Sequence, residues 1–211
     1  MLVKKLVLIF SLVILAGLLF QKPISTHMKA LLLITEEFPQ IPVKPLALVS
    51  KSPVRTTLTL ESEAGKVNAD LFVPSKEGKY PALIVAMGVK TADKDRPIIL
   101  HFAETMSRLG YVVLWPRLAV LDEGTSLSEE PSTFIAGFRY LEGLDVVDKE
   151  RISFVGFSTG SSIAMVATQD PAINNRVHGL VFFGGYFDIF DYLESLVLRR
   201  MVVDEKEVSW Q

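Results

Sequence analysis

The chain has 211 residues, 49% of them hydrophobic, with a formal net charge of −2 and a mean hydropathy of +0.35. That length suits one domain with a sizeable core. Zero cysteines exclude disulfides, thiolate catalysis and thiolate metal sites, and the faintly acidic balance lacks the basic patch that nucleic acid requires.

Residues 1–22 differ from everything that follows. Lys4 and Lys5 precede the uncharged run Leu6–Phe20, a positive n-region before a hydrophobic h-region. As a helix this run spans about 22 Å, short of the ~30 Å hydrocarbon core. Leu2, Val3 and snorkelling lysines make a thin span feasible. No A-x-A site precedes Gln21-Lys22-Pro23, so an uncleaved anchor is expected, with a cleaved signal peptide as the alternative. Lysines held on the cytoplasmic side place the domain outside, membrane-anchored or, after cleavage, secreted.

Residues 23–53 carry five prolines, Pro23, Pro39, Pro42, Pro45 and Pro53. This spacing predicts a stalk or extended lead-in with no long helix. Residues 54–211 then form one regular domain. Val54–Glu63 and Val67–Val73 alternate as two strands around Ala64-Gly65. Ala82–Met87 is a short apolar run, as in a strand buried on both faces. Pro97 sits at a helix start, with Ile98, Phe102, Met106 and Leu109 on one stripe. Tyr111–Trp115 is the next strand. After the loop 116–131 a helix is predicted from Ser132 to about Leu144, with Ile135, Phe138 and Leu141 inward.

Asp148–Arg151 reads as a polar turn before the strand Ile152–Gly156. Thr159–Thr168 is a helix whose Ser161, Ser162, Ala164 and Ala167 permit close packing. Val177–Phe183 is a further strand and Asp191–Arg200 a helix, while Val202–Gln211 is polar and indistinct. A hairpin followed by strand-helix alternation argues a mostly parallel sheet with helices on both faces. Active sites in such sheets lie at the carboxyl ends of the strands.

At that edge stands Gly156-Phe157-Ser158-Thr159-Gly160, a G-x-S-x-G between a strand and a small-residue helix. The motif alone is common, but this context is what lifts a serine hydroxyl clear of a sheet as a nucleophile. The segment "VDKERISFVGFSTGSSIAMVAT" (147–168) resembles the strand, elbow and helix of the α/β-hydrolase superfamily, and more narrowly its dienelactone-hydrolase-like branch. "KYPALIVAMG" (79–88), "GYVVLWPRL" (110–118) and "VHGLVFFGGYFD" (177–188) are similar to its neighbouring strands. The resemblance covers about Val54 to Leu198. It implies a three-layer fold, with a mostly parallel sheet preceded by an antiparallel hairpin and without the last strands.

It also implies acyl transfer from an ester, lactone or thioester of a small molecule to Ser158, then hydrolysis, with no cofactor and no metal. The oxyanion would be held by the backbone N–H of Thr159 and a second donor after the Ala82–Met87 strand, Val89 or Gly88. The family often has His-Gly there, whereas this chain has Met87-Gly88.

A serine nucleophile needs a base. The family order is Ser, then Asp or Glu, then His, but the sole histidine beyond Ser158 is His178. It opens a parallel strand and so lies at the opposite edge of the sheet. His101 belongs to the helix after the oxyanion loop and His27 to the stalk. Asp188 is a candidate acid, its alternative role being a helix N-cap. Asp122-Glu123 and Glu129-Glu130 read as a solvated loop rather than a metal site, and Phe182-Phe183 with Tyr186-Phe187 as core and pocket wall.

Two readings follow. Either the chain is a hydrolase that stops before its last strands, inactive as it stands because acid and base are missing. Or it is a membrane-tethered, non-catalytic relative that uses the same pocket for binding.

Overall fold

A computed structural model describes residues 21–88, 96–118, 129–203 and 206–209. The expected anchor Leu6–Phe20, the donor Val89 and Asp122-Glu123 lie outside the described residues. The chain divides between Ser52 and Pro53 into two compact units.

The first unit contains helices α1 (Gln21–Glu37) and α2 (Leu46–Val49). A helix of 17 residues corrects the reading of this segment as extended. Pro23 falls in the first turn, where no intrahelical donor is lost, and no proline recurs until Pro39, beyond the helix end. Lys44 closes that end: its Nζ donates to the carbonyls of Thr35 (2.7 Å), Glu36 (2.8 Å) and Phe38 (3.0 Å). A cation on the last carbonyls also suits the helix dipole.

The second unit is built on a six-stranded sheet in the order β1-β2-β4-β3-β5-β6. The strands are β1 (Val54–Ser62), β2 (Gly65–Val73), β3 (Tyr80–Ala86), β4 (Val112–Pro116), β5 (Val147–Phe157) and β6 (Val177–Phe183). The hairpin β1–β2 is antiparallel, as is the β2–β4 pair, whereas β4, β3, β5 and β6 run parallel. Between them come α3 (Arg96–Arg108), α4 (Glu130–Glu142), α5 (Thr159–Thr168) and α6 (Ile189–Leu198).

Two cores follow from the strand alternation. One face packs Leu60, Leu71, Ile84 and Leu114 against Phe134 and Phe138 of α4 and Ile163 and Ala164 of α5. The other packs Phe72, Val85, Val113 and Trp115 against Ile99 and Ala103 of α3. The strands between are covered on both faces, which is why β4 is buried along its whole length.

Several expectations need correction. Of the expected stripe, Leu109 is buried and Phe102 and Met106 pack against the second core, but Ile98 is 66% exposed and Ile99 with Ala103 is buried instead. A small Ala103 lets the helix axis approach the sheet. The polar turn Asp148–Arg151 is absorbed into β5 as an irregularity: Tyr80 pairs with Val147 and Ala82 with Ile152. Asp148 stabilises this excursion by accepting from Arg151 Nε at 2.6 Å. The run expected to be indistinct contains an antiparallel hairpin, β7 (Arg200–Val203) with β8 (Lys206–Ser209). Phe183 and Phe187 are 69% and 105% exposed rather than core, because β6 is the outer strand of the sheet among the described residues.

The pair Glu129-Glu130 also splits. Glu129 is exposed, but Glu130 opens α4 and is buried. Burial, and then repulsion from Glu129, raise its carboxyl from 4.5 to about 6. A carboxyl that holds its proton more tightly folded than unfolded stabilises the fold below its unfolded value. That contribution is lost as pH rises towards about 6. Glu130→Gln cannot ionise, so between pH 4.5 and pH 7 it is expected to gain about 1 kcal/mol on the parent chain. Urea midpoints at the two pH values measure this, and parallel pH dependences for the two proteins refute it.

Candidate functional site

β5 ends at Phe157 and α5 begins at Thr159, so Ser158 alone turns the chain. It does so with φ 53° and ψ −140°, and among the described residues only Arg199 shares a positive φ without being glycine. This backbone is strained for an L-residue and persists because its surroundings hold it. The Ser158 N–H donates to the Phe183 carbonyl at 2.8 Å, and the Ser158 carbonyl accepts from the Ser161 N–H at 2.9 Å. The residue itself is exposed at the carboxyl edge of the sheet.

The three glycines around it are fixed by close approach. A Cβ on Gly156 would stand 2.5 Å from the Ser161 Cα. One on Gly160 would strike the carbonyl oxygens of Met87 and Ala86, at the end of β3. One on Gly88 would lie 2.8 Å from the Ser158 Cβ, 3.1 Å from its Oγ and 3.2 Å from the Thr159 nitrogen. Gly88 is therefore packed directly against the serine side chain and the Thr159 N–H, with no room for a larger residue. That N–H belongs to the first turn of α5, where donors have no intrahelical acceptor and the helix dipole is positive. An oxygen gaining negative charge there would meet one oriented donor. The Thr159 Oγ1 is buried with no hydrogen-bond partner among the described residues.

Helix α5 also holds the segment after β6. The Ser161 Oγ donates to the Phe183 carbonyl at 3.0 Å and accepts from the Phe183 N–H at 3.3 Å. Ser162 does the same with Tyr186, at 2.9 and 3.0 Å. These serines were expected for their small size, and the structure adds a second role that neighbouring positions in sequence do not reveal.

The acid and base positions stand as follows. The Asp188 carboxylate is exposed and caps α6, accepting from Phe190 N–H at 2.7 Å and Asp191 N–H at 3.3 Å. His178 is exposed on β6, five residues before Phe183, which puts it roughly 16 Å along the strand from the elbow. His101 is exposed on α3 and His27 on α1. Among the described residues no side chain hydrogen-bonds the Ser158 Oγ, and no group of three or more His, Asp or Glu residues could hold a metal ion. Among them too, no helix is long and apolar enough to cross a membrane.

One cluster went unseen in the sequence reading. Asp70 of β2 is fully buried, and its Oδ1 accepts from Arg55 Nη2 at 3.0 Å, Arg55 Nε at 3.2 Å and Thr57 Oγ1 at 2.9 Å. Arg117 Nε and Arg96 Nη2 stand 3.3 and 4.0 Å from its Oδ2. The available signal was a lone acid within the apolar run of β2, since a buried carboxylate requires partners.

No family model matches the sequence, and no curated protein matches it. Solved structures do match the fold. A hypothetical protein from Pseudomonas aeruginosa superposes with TM-score 0.54 and 24% identity, over 72% of this chain and 46% of its own. An esterase from Pyrobaculum calidifontis gives TM-score 0.55 and 16% identity, over 82% of this chain and 57% of its own. An α/β hydrolase from Penicillium sp. sh18 gives 0.53 and 16%, over 69% of this chain and 52% of its own. The chain thus spans about half the length of these structures. With its mostly parallel six-stranded sheet, antiparallel hairpin and helices on both faces, the chain has the α/β-hydrolase fold over about half the length of these structures.

Proposed function

We propose that Ser158 is the nucleophile of an acyl-transfer site for ester, lactone or thioester bonds of small molecules. The strained Ser158 backbone, exposed at the carboxyl edge of the sheet beside the Thr159 N–H, carries this reading. Esterases among proteins of the same fold are consistent with it. In the first step the Oγ attacks the carbonyl carbon and its proton passes to a base. The carbonyl electron pair moves to oxygen beside the Thr159 N–H. Collapse expels the alcohol or thiol, which takes up the proton, and water later releases the acid. None of the three histidines in the sequence stands as that base, so turnover by these 211 residues is expected to be slight.

A fluorophosphonate probe tests both halves. Adduct formation is expected at Ser158 alone, over hours rather than minutes, and none in Ser158→Ala, as read by peptide mass spectrometry. Labelling at another serine, or none after a day, overturns the nucleophile assignment. Labelling within minutes overturns the missing base. The exposed Ser158, with no hydrogen-bonded base among the described residues, also suits the second reading, a non-catalytic binding protein, which the absence of any adduct would favour.

The composition of residues 4–20 supports a membrane tether in either case, with the domain on the extracytoplasmic side. The expressed full chain should remain with membranes through alkaline carbonate extraction. Quantitative release into the supernatant rules the tether out.

A further inference from the structure

The cluster around Asp70 holds more positive charge than it can use. Among the described residues three guanidiniums face one carboxylate, a formal surplus of two. Arg55 is committed, with both hydrogen bonds to Oδ1 and its guanidinium over the Phe72 ring at 5.6 Å. Arg117 and Arg96 are not. Oδ2 and Arg117 Nε have no hydrogen-bond partner among the described residues, so these two arginines are drawn in by charge rather than tied by bonds. Their side chains are 26% and 39% exposed, so both are partly open to solvent. Like charges held together in a half-buried place favour a second anion, and a planar guanidinium fork suits an oxyanion.

Position gives the cluster meaning. Arg117 follows the end of β4, and Arg96 opens α3, the helix after the connection that starts at Gly88. Both lie at the carboxyl edge that carries Ser158. β4 is separated from β5 by β3 alone, so the Arg117 backbone stands about 10 Å across the sheet from the elbow's strand.

We propose that Arg96 and Arg117 form a subsite for an oxyanion group, carboxylate or phosphate, carried by the ligand whose carbonyl reaches Ser158. The link to a carbonyl rests on the acyl-transfer reading, but the anion subsite itself does not. The test is a phenylglyoxal footprint of the full chain at constant ionic strength, read residue by residue by mass spectrometry. Inorganic phosphate, monomethyl adipate and dimethyl adipate are the probes.

Phosphate and monomethyl adipate, at about twice their dissociation constants, are expected to slow modification of Arg96 and Arg117 about threefold. Arg151 should be unaffected, and dimethyl adipate should protect nothing. Arg96→Gln, with its folding checked by circular dichroism, should lose the protection of Arg117. Unchanged rates with both anions, or equal protection of Arg151, overturn the subsite. Protection by phosphate without the half-ester keeps the anion subsite and overturns its tie to an ester ligand. Because the wild-type footprint needs neither a variant nor turnover, it stays decisive if Ser158 proves unreactive.

Discussion

Gly160→Ala is expected to cost about 2–3 kcal/mol of stability, although alanine is the better helix former by about 1 kcal/mol. The added Cβ meets the Met87 and Ala86 carbonyl oxygens, and these cannot retreat freely. Ala86 ends β3, an inner strand paired on one side with β4 and on the other with β5. Relief must come from lifting α5 off the sheet, which disturbs Ile163 and Ala164 in the main core. Gly179→Ala is the control, because its Cβ would meet only the Ser153 Oγ at an ordinary 3.7 Å. Urea unfolding of the two variants measures the contrast. A Gly160→Ala protein within about 0.5 kcal/mol of the parent would show that the helix is not seated against β3 as described.

Asp70→Asn is expected to cost about 3 kcal/mol, at the lower end of what breaking a buried ion pair costs, since the arginines keep part of their hydration. The isosteric amide fits the space but leaves Arg55, Arg96 and Arg117 with no negative charge among them. Repulsion then opposes the folded arrangement of β1, β4 and α3 together. Glu61→Gln makes the comparison, because its pair with Lys66 is about three-quarters exposed on both sides and should change stability by less than about 0.5 kcal/mol. Equal urea midpoints for the two variants would remove Asp70 as the anchor of the cluster.

Sheet and elbow were legible in the sequence because they rest on local signals. Apolar runs, bounding turns and the glycines at 156 and 160 each constrain their own few residues. The misplaced features depend on what lies across the fold. Ile98 and Ile99 are equally apolar, and only the approach of Ala103 to Val113 and Trp115 selects the face of α3. The helix Gln21–Glu37 fits within the gap between Pro23 and Pro39, which the number of prolines in the segment conceals. The Asp70 cluster has no local signature, because its arginines come from positions 55, 96 and 117, which share no motif. The close approach of Gly88, a candidate donor alongside Val89, to Ser158 is likewise visible only in the fold, since about 70 residues separate them.

The interlocked glycines have a consequence for the order of assembly. The hairpin β1–β2 closes through a turn of two residues, Glu63 and Ala64. By contrast Ala82 meets Ile152 only after a loop of about 70 residues has closed, a slow, entropically costly event. The approach of Gly156 to Ser161 is local, but Gly88 and Gly160 make their contacts between the end of β3 and the elbow, so that side of the corner cannot pre-exist the long-range meeting. The complete seat of the strained serine against β3 thus forms late in folding. Any chain that displays it has already zipped its central strands together.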